Sequence, residues 1–245
     1  MRTKSIIKGR DNDVLDQLFR TYPRPAGLVI DVTCNQRRMW KKLVRNGVIF
    51  CDIDKKVKPD VVCDFRQLPF ANDSVGVLVF DPPHLPKAAG TDKSLKQYVE
   101  DYGLKDSVTG NNVNAFFPPF LTEARRVLVN DGLIFCKLTD YVHNHAFQWL
   151  LVDFITAVRS ISGLTPCDLI IKCDPCAGNL KSGRWKKCHH ARRNHCYFVV
   201  VRKGRCEPHK VYTPSMVGTF MPSSPRPRPA PSGQRKRWPD AGHQD

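Results

Sequence analysis

No stretch of the chain comes near the roughly 18 consecutive apolar residues that a membrane-crossing helix needs, so no membrane span is expected. The first residues, MRTKSIIKGRDND, lack the apolar core of a secretory signal. Both absences predict a cytosolic or nuclear setting. Without a secretory route, a disulfide framework for the ten cysteines is not expected either. Several of them sit inside apolar runs (VIFCDI, VVCDF, LIFCKL), where a free thiol behaves as a small buried hydrophobe. No internal repeat is visible. Acids are scarce in one region: residues 181–210 carry ten lysines and arginines against only Glu207.

What is present fits one folded unit. The 245 residues are 41% hydrophobic and 25% charged, enough for a single core plus a tail. The net charge is +16. Its concentration in 181–210, and in Arg37, Arg38, Lys41, Lys42 and Arg45, points to a polyanion, most simply nucleic acid. The alternative is a solvated basic face. Within the basic loop KSGRWKKCHHARRNHC, residues Arg184, Lys186, Lys187, Arg192 and Arg193 suit phosphate contacts, with Trp185 available for stacking.

Short apolar strands alternate with helical stretches. Strands are expected at 26–33, 48–53, 60–63, 75–80, 133–139, 167–173 and 195–203, and helices at 36–46, 120–130 and 145–161. This rhythm predicts an α/β fold: a Rossmann-like, mostly parallel seven-stranded sheet with one late antiparallel strand and helices on both faces. Residues 1–25 read as a lead-in and 26–210 as the folded domain. Within it, 85–118 forms a long polar insert or lid and 178–196 a basic loop. The Pro-, Ser- and Arg-rich tail, 211–245, cannot form a core and is expected to be disordered.

Acids recur where strands end: Asp31, Asp52, Asp64 and Asp81. In an open α/β sheet, ligands bind beyond the carboxyl ends of the strands, so a series of carboxylates there calls for something to bind. Asp52 follows Asp31 by 21 residues, the interval at which a nucleotide-binding unit places its ribose-holding acid. Any one of these acids taken alone could instead cap a helix. The strand VGVLVF then runs into Asp81-Pro82-Pro83-His84, where two prolines end any ladder. In isolation that is also an ordinary turn.

Taken in order, these segments resemble the class I S-adenosylmethionine-dependent methyltransferases. LVIDVTCN is similar to the family's first-strand motif and FCDID to its ribose-binding one. DVVCDFRQLPF resembles the adenine-binding segment, FLTEARRVLVNDGLIFCKLTD the helix and fifth strand, and RRNHCYFVVVRK the late hairpin strand. Asp81-Pro82-Pro83-His84 resembles the motif of amino-methyltransferases that modify exocyclic nitrogens of bases.

The resemblance implies S-adenosylmethionine as cofactor, held by Asp31, Thr33, Asn35, Asp52, Ile53, Asp64, Phe65 and Asp81. It also implies a catalytic set of Asp81, Pro82, Pro83 and His84. Asp81 and the Pro82 carbonyl would accept the amine N–H groups, and His84 would stack on the flipped base. Where the family carries glycines, this loop reads DVTCNQRRMW, with Asn35 the residue best able to adopt a left-handed turn.

The chain is most similar to stand-alone, often phage-borne DNA adenine-N6 enzymes. That implies the cytoplasm of a bacterium or phage-infected host. The resemblance leaves open an RNA base amino-methyltransferase and a non-catalytic nucleic-acid-binding homologue. Tyr98, Tyr102, Phe116 and Phe117 are lid candidates or local packing. A zinc site from Cys173, Cys176, Cys188 and His190 is the weaker alternative use of the late cysteines.

Overall fold

The computed structural model describes residues 3–43, 46–82, 113–143, 146–173 and 194–205. Among them, eight strands form one sheet. They are β1 (Ile6–Lys8), β2 (Leu28–Asp31), β3 (Val48–Asp52), β4 (Val61–Val62) and β5 (Val75–Phe80), followed by β6 (Leu128–Leu138), β9 (Leu164–Cys173) and β10 (His195–Lys203). Their order across the sheet is β1-β9-β10-β6-β5-β2-β3-β4. Strand β10 runs antiparallel to both neighbours, and the other ladders are parallel. All seven expected strands are present, and β1 is an eighth.

Burial explains why these segments read as strands. Every residue of β5 is buried, as befits a central parallel strand covered on both faces, and its sequence is continuously apolar. One face packs Ile30, Leu78, Phe80 and Ile134 against helices α2 (Phe117–Val127) and α3 (Leu150–Ser160). The other packs Val29, Val77, Val79 and Phe135 against α1 (Asp11–Thr21) and Trp40. Strands β2 and β5 start pressed together. A Cβ at Gly76 would lie 2.6 Å from the Pro25 carbonyl oxygen, so only glycine fits there.

Three expectations change. The described part of the lead-in, 3–25, carries two elements: β1 pairs in parallel with β9, and α1 buries Val14, Leu15 and Leu18. Where a helix is expected at 36–46, the described residues form one 3₁₀ turn, Arg38–Trp40. Asn35 and Arg37 enter it at φ 43° and 54°, left-handed values that cannot continue a right-handed helix. The helix expected at 145–161 begins at Leu150. Residues 146–148 instead form β8 (Ala146–Gln148), which pairs with β7 (Tyr141–His143) in a small hairpin. Cys34, Cys51, Cys63, Cys136, Cys173 and Cys196 are free thiols as expected. Cys167 is not, being held in a disulfide.

Candidate functional site

From β2 the chain moves outward through β3 and β4, then returns to β5 on the other side of β2. The order therefore reverses between β2 and β5, and the crevice beyond their carboxyl ends is where such sheets bind ligands. Asp31 ends β2, Asp52 ends β3, and Asp81 follows β5 directly. Three of the four expected acids thus meet at the switch point.

The loop after β2 is stapled on both sides. The Thr33 N–H donates to Asp31 Oδ1 at 3.1 Å, and Thr33 Oγ1 accepts the Asp81 N–H at 2.8 Å. Asn35 donates its N–H to Asp52 Oδ2 at 2.8 Å, while Asn35 Oδ1 accepts the Gln36 N–H at 2.7 Å. The expected left-handed turn at Asn35 is present. Ile53 follows Asp52, half-buried, and the Asp54 N–H donates to Asp52 Oδ1 at 3.0 Å.

Asp31 is almost wholly buried, and its Oδ2 accepts the Trp40 indole N–H at 2.6 Å. Burial pushes its carboxyl up to about 7. The hydrogen bonds from Trp40 and Thr33 oppose the shift, and the nearby Asp81 and Asp52 charges add to it. Burial, with Asp31 and Asp52 close by, also pushes the Cys34 thiol up to about 12, too high for a reactive thiolate.

Asp64 and Phe65 sit differently from the other candidates. Arg66 grips Asp64 through its backbone N–H at 2.8 Å and its guanidinium at 2.5–3.0 Å. Burial acts to raise the Asp64 carboxyl, but the Arg66 contacts outweigh it and hold it below the usual carboxylate range. Phe65 is buried among Phe80, Phe116 and Phe120, with its centroid 5.2 Å from that of Phe80, so it is core. Glu123 and Arg126 of α2 fix the connection that follows. Glu123 Oε1 accepts the Leu68 N–H at 2.7 Å, and Arg126 donates to the carbonyls of Leu68 and Phe70 at 3.0 Å each.

Sequence reasoning missed Lys137. Its ammonium, largely buried on β6, lies 3.0 Å from Asp81 Oδ2 and 3.0 Å from Asp11 Oδ2. Asp11 in turn pairs with Lys172 of β9 at 2.5 Å. The available signal was a lone charge inside the apolar run LIFCKL. Also missed was the hairpin beyond β6, where Trp149 is 58% exposed and its ring centroid stands 4.4 Å from that of Phe147.

Phe116 and Phe117 are fully buried and serve as packing, which removes them as lid residues. Pro82 is buried just past Asp81. Pro83, His84 and most of the 85–118 insert lie outside the described residues, as do Tyr98 and Tyr102. The same holds for Arg45, Arg184, Trp185, Lys186, Lys187, Arg192 and Arg193, for Cys176, Cys188 and His190, and for the 211–245 tail. Among the described residues, no group of three His, Cys, Asp or Glu side chains is placed to hold a metal. No helix among them is long and apolar enough to cross a membrane.

No family model and no curated protein matches the chain. Solved structures do. A candidate DNA modification methylase from Thermus thermophilus is 19% identical over 62% of this chain and 54% of its own, with a TM-score of 0.38. The chain therefore spans about half the length of that protein, which has also been crystallised with S-adenosyl-L-methionine. A candidate methyltransferase from Bacillus halodurans is 12% identical over 79% of this chain and all of its own, at 0.49. A Haloferax volcanii candidate methyltransferase, in complex with the Trm112 activator, is 16% identical over 80% of this chain and 95% of its own, at 0.46.

Proposed function

We propose that this chain is an S-adenosylmethionine-dependent methyltransferase acting on an exocyclic amino group of a nucleic-acid base, with adenine N6 in DNA as the favoured target. The observation that carries the reading is the convergence of Asp31, Asp52 and Asp81 at the point where strand order reverses, with Thr33 stapling the first loop to Asp81.

The donor set fits the cofactor at one end better than at the other. Asp52 accepts a single N–H on each oxygen, and a carboxylate oxygen has two lone pairs, so it retains capacity for both ribose hydroxyls. Asn35 supplies the backbone turn that a glycine would otherwise make. Asp64 is the member that fits least, because Arg66 engages both of its oxygens.

When bound, the cofactor supplies an electrophilic methyl group on a sulfonium. The chain's own contribution is placement. A base amine is a weak nucleophile because its lone pair is delocalised into the ring. Asp81 and the Pro82 carbonyl are suited to accept its two N–H groups and favour the pyramidal nitrogen. They act as acceptors fixed before the reaction begins. The proton lost from nitrogen passes to Asp81 or to water. The +16 net charge supplies the attraction for phosphates.

The test is incubation with labelled cofactor and either DNA or RNA, followed by mass spectrometry of the nucleosides. Labelled N6-methyladenine from DNA supports the favoured target. Label in RNA alone moves the substrate to RNA. No label with either, together with no calorimetric signal for the cofactor, overturns the enzyme reading. Asp81→Ala is expected to lower transfer by about 100-fold or more.

A further inference from the structure

Four charged side chains from four elements form an alternating row beside the site. Asp81 follows β5, Lys137 lies on β6, Asp11 opens α1, and Lys172 lies on β9. All four are largely buried, with side-chain exposures from 12% to 25%. Charges this deep are costly to desolvate and persist only when paired. Within the row each inner member has two opposite neighbours, and the total is neutral.

Lys137 is the pivot of the row. Burial acts against its charged form, but the carboxylates of Asp81 and Asp11 outweigh burial and hold its proton more tightly than an ordinary lysine's. A lysine is a flexible point donor that one carboxylate alone would not fix in place. Asp11 supplies the second contact, and Lys172 anchors Asp11 at 2.5 Å. Asp11 is itself set by the N-terminal unit, whose strand β1 pairs Lys8 with Cys173 of β9.

We propose that Lys137 is a positioning residue for the reaction. It would fix the Asp81 carboxylate through Oδ2, and the N-terminal helix would complete the site by holding Lys137 through Asp11. The inference rests on the methyltransferase reading and adds to it a device in which residues of the N-terminal unit set the acceptor geometry. A displacement of about 1 Å at a reacting group can cost about 100-fold in rate, so holding Asp81 is a requirement of the chemistry.

The test compares Lys137→Met, Lys137→Arg, Asp11→Asn and Asp81→Asn in the full chain. Each is checked for folding by thermal melt and for cofactor binding by calorimetry. Lys137→Met is expected to lower kcat by about 100-fold, with KM for nucleic acid and cofactor affinity within about threefold of wild type. Lys137→Arg, which keeps the charge, restores at least a tenth of the rate. Asp11→Asn gives an intermediate loss, again in kcat. In the Asp81→Asn background, Lys137→Met adds little, because the group it positions has been neutralised.

A folded Lys137→Met variant with wild-type kcat overturns this inference and leaves the methyltransferase reading standing. Equal losses in Lys137→Met and Lys137→Arg, or a loss that multiplies fully with Asp81→Asn, also overturn it. A wild-type chain that transfers no methyl group to DNA or RNA overturns both together. Should Lys137→Met fail to fold, Asp11→Asn carries the test: unchanged kcat in that variant overturns the role given to the N-terminal helix.

Discussion

The two halves of the sheet edge hold their acids by different means. On the β2–β3 side, Asp31 and Asp52 are met by neutral donors: an indole N–H and the backbone N–H groups of Thr33, Asn35 and Asp54. On the β5–β6–β9 side, Asp81 and Asp11 are met by lysines. Neutral donors shape a loop but do not cancel charge, so burial, with two other carboxylates adding to it, pushes Asp31 up to about 7. The lysine side is internally neutral and keeps its charges buried. The first arrangement suits recognition of uncharged hydroxyls. The second suits a carboxylate that must stay fixed while a proton leaves a neighbouring nitrogen.

The largest effect on this contrast is expected at Trp40. The side chain is fully buried, with its ring centroid 5.6 Å from that of Phe50 and 5.8 Å from that of Phe19. Trp40→Phe removes the donor to Asp31 and leaves unfilled volume. We expect a loss of about 2–4 kcal/mol in denaturant unfolding, and an Asp31 carboxyl shifted further upward. Unchanged stability would show that the β2 side does not depend on its neutral donor.

Asp31 itself gives a pH signature of intermediate size. An acid whose folded pKa is raised from 3.8 to about 7 contributes stability that is complete below about pH 4 and is lost as the pH rises through 7. Thermal melts from pH 5 to 8 should therefore show falling stability. Asp31→Asn should flatten that slope while costing stability at every pH, because one of the two donors then faces an amide NH₂. A slope unchanged in Asp31→Asn would assign the pH dependence elsewhere.

Much of this contrast lies on one side of what a sequence shows. The seven strands were legible because buried parallel strands are continuously apolar, and the acids because each follows such a run. The lysine row was not legible. Lys137 and Asp81 are 56 residues apart and Lys172 and Asp11 161, so only the folded sheet brings them together. The N-terminal unit was missed because β1 is a three-residue edge strand with little burial. The basic stretch after Asn35 looked helical from its pattern, whereas Trp40 turning in toward Asp31 and two left-handed residues hold it as a loop.

The smallest effect is expected at Asn35, where backbone shape and the hydrogen bond to Asp52 can be separated. Its φ of 43° disfavours a β-branched residue by about 1–2 kcal/mol, whereas glycine accepts it freely. Asn35→Val should therefore weaken cofactor binding by about tenfold in calorimetry, and Asn35→Gly by no more than about threefold. Both variants retain the N–H that Asp52 accepts, so a difference between them reports the loop conformation alone. Equal affinities would mean that the contact with Asp52 holds the loop whatever residue stands there. The β2 side would then owe its shape to a carboxylate, as the β5 side does, and the contrast between the two halves would narrow to the charge of the donors.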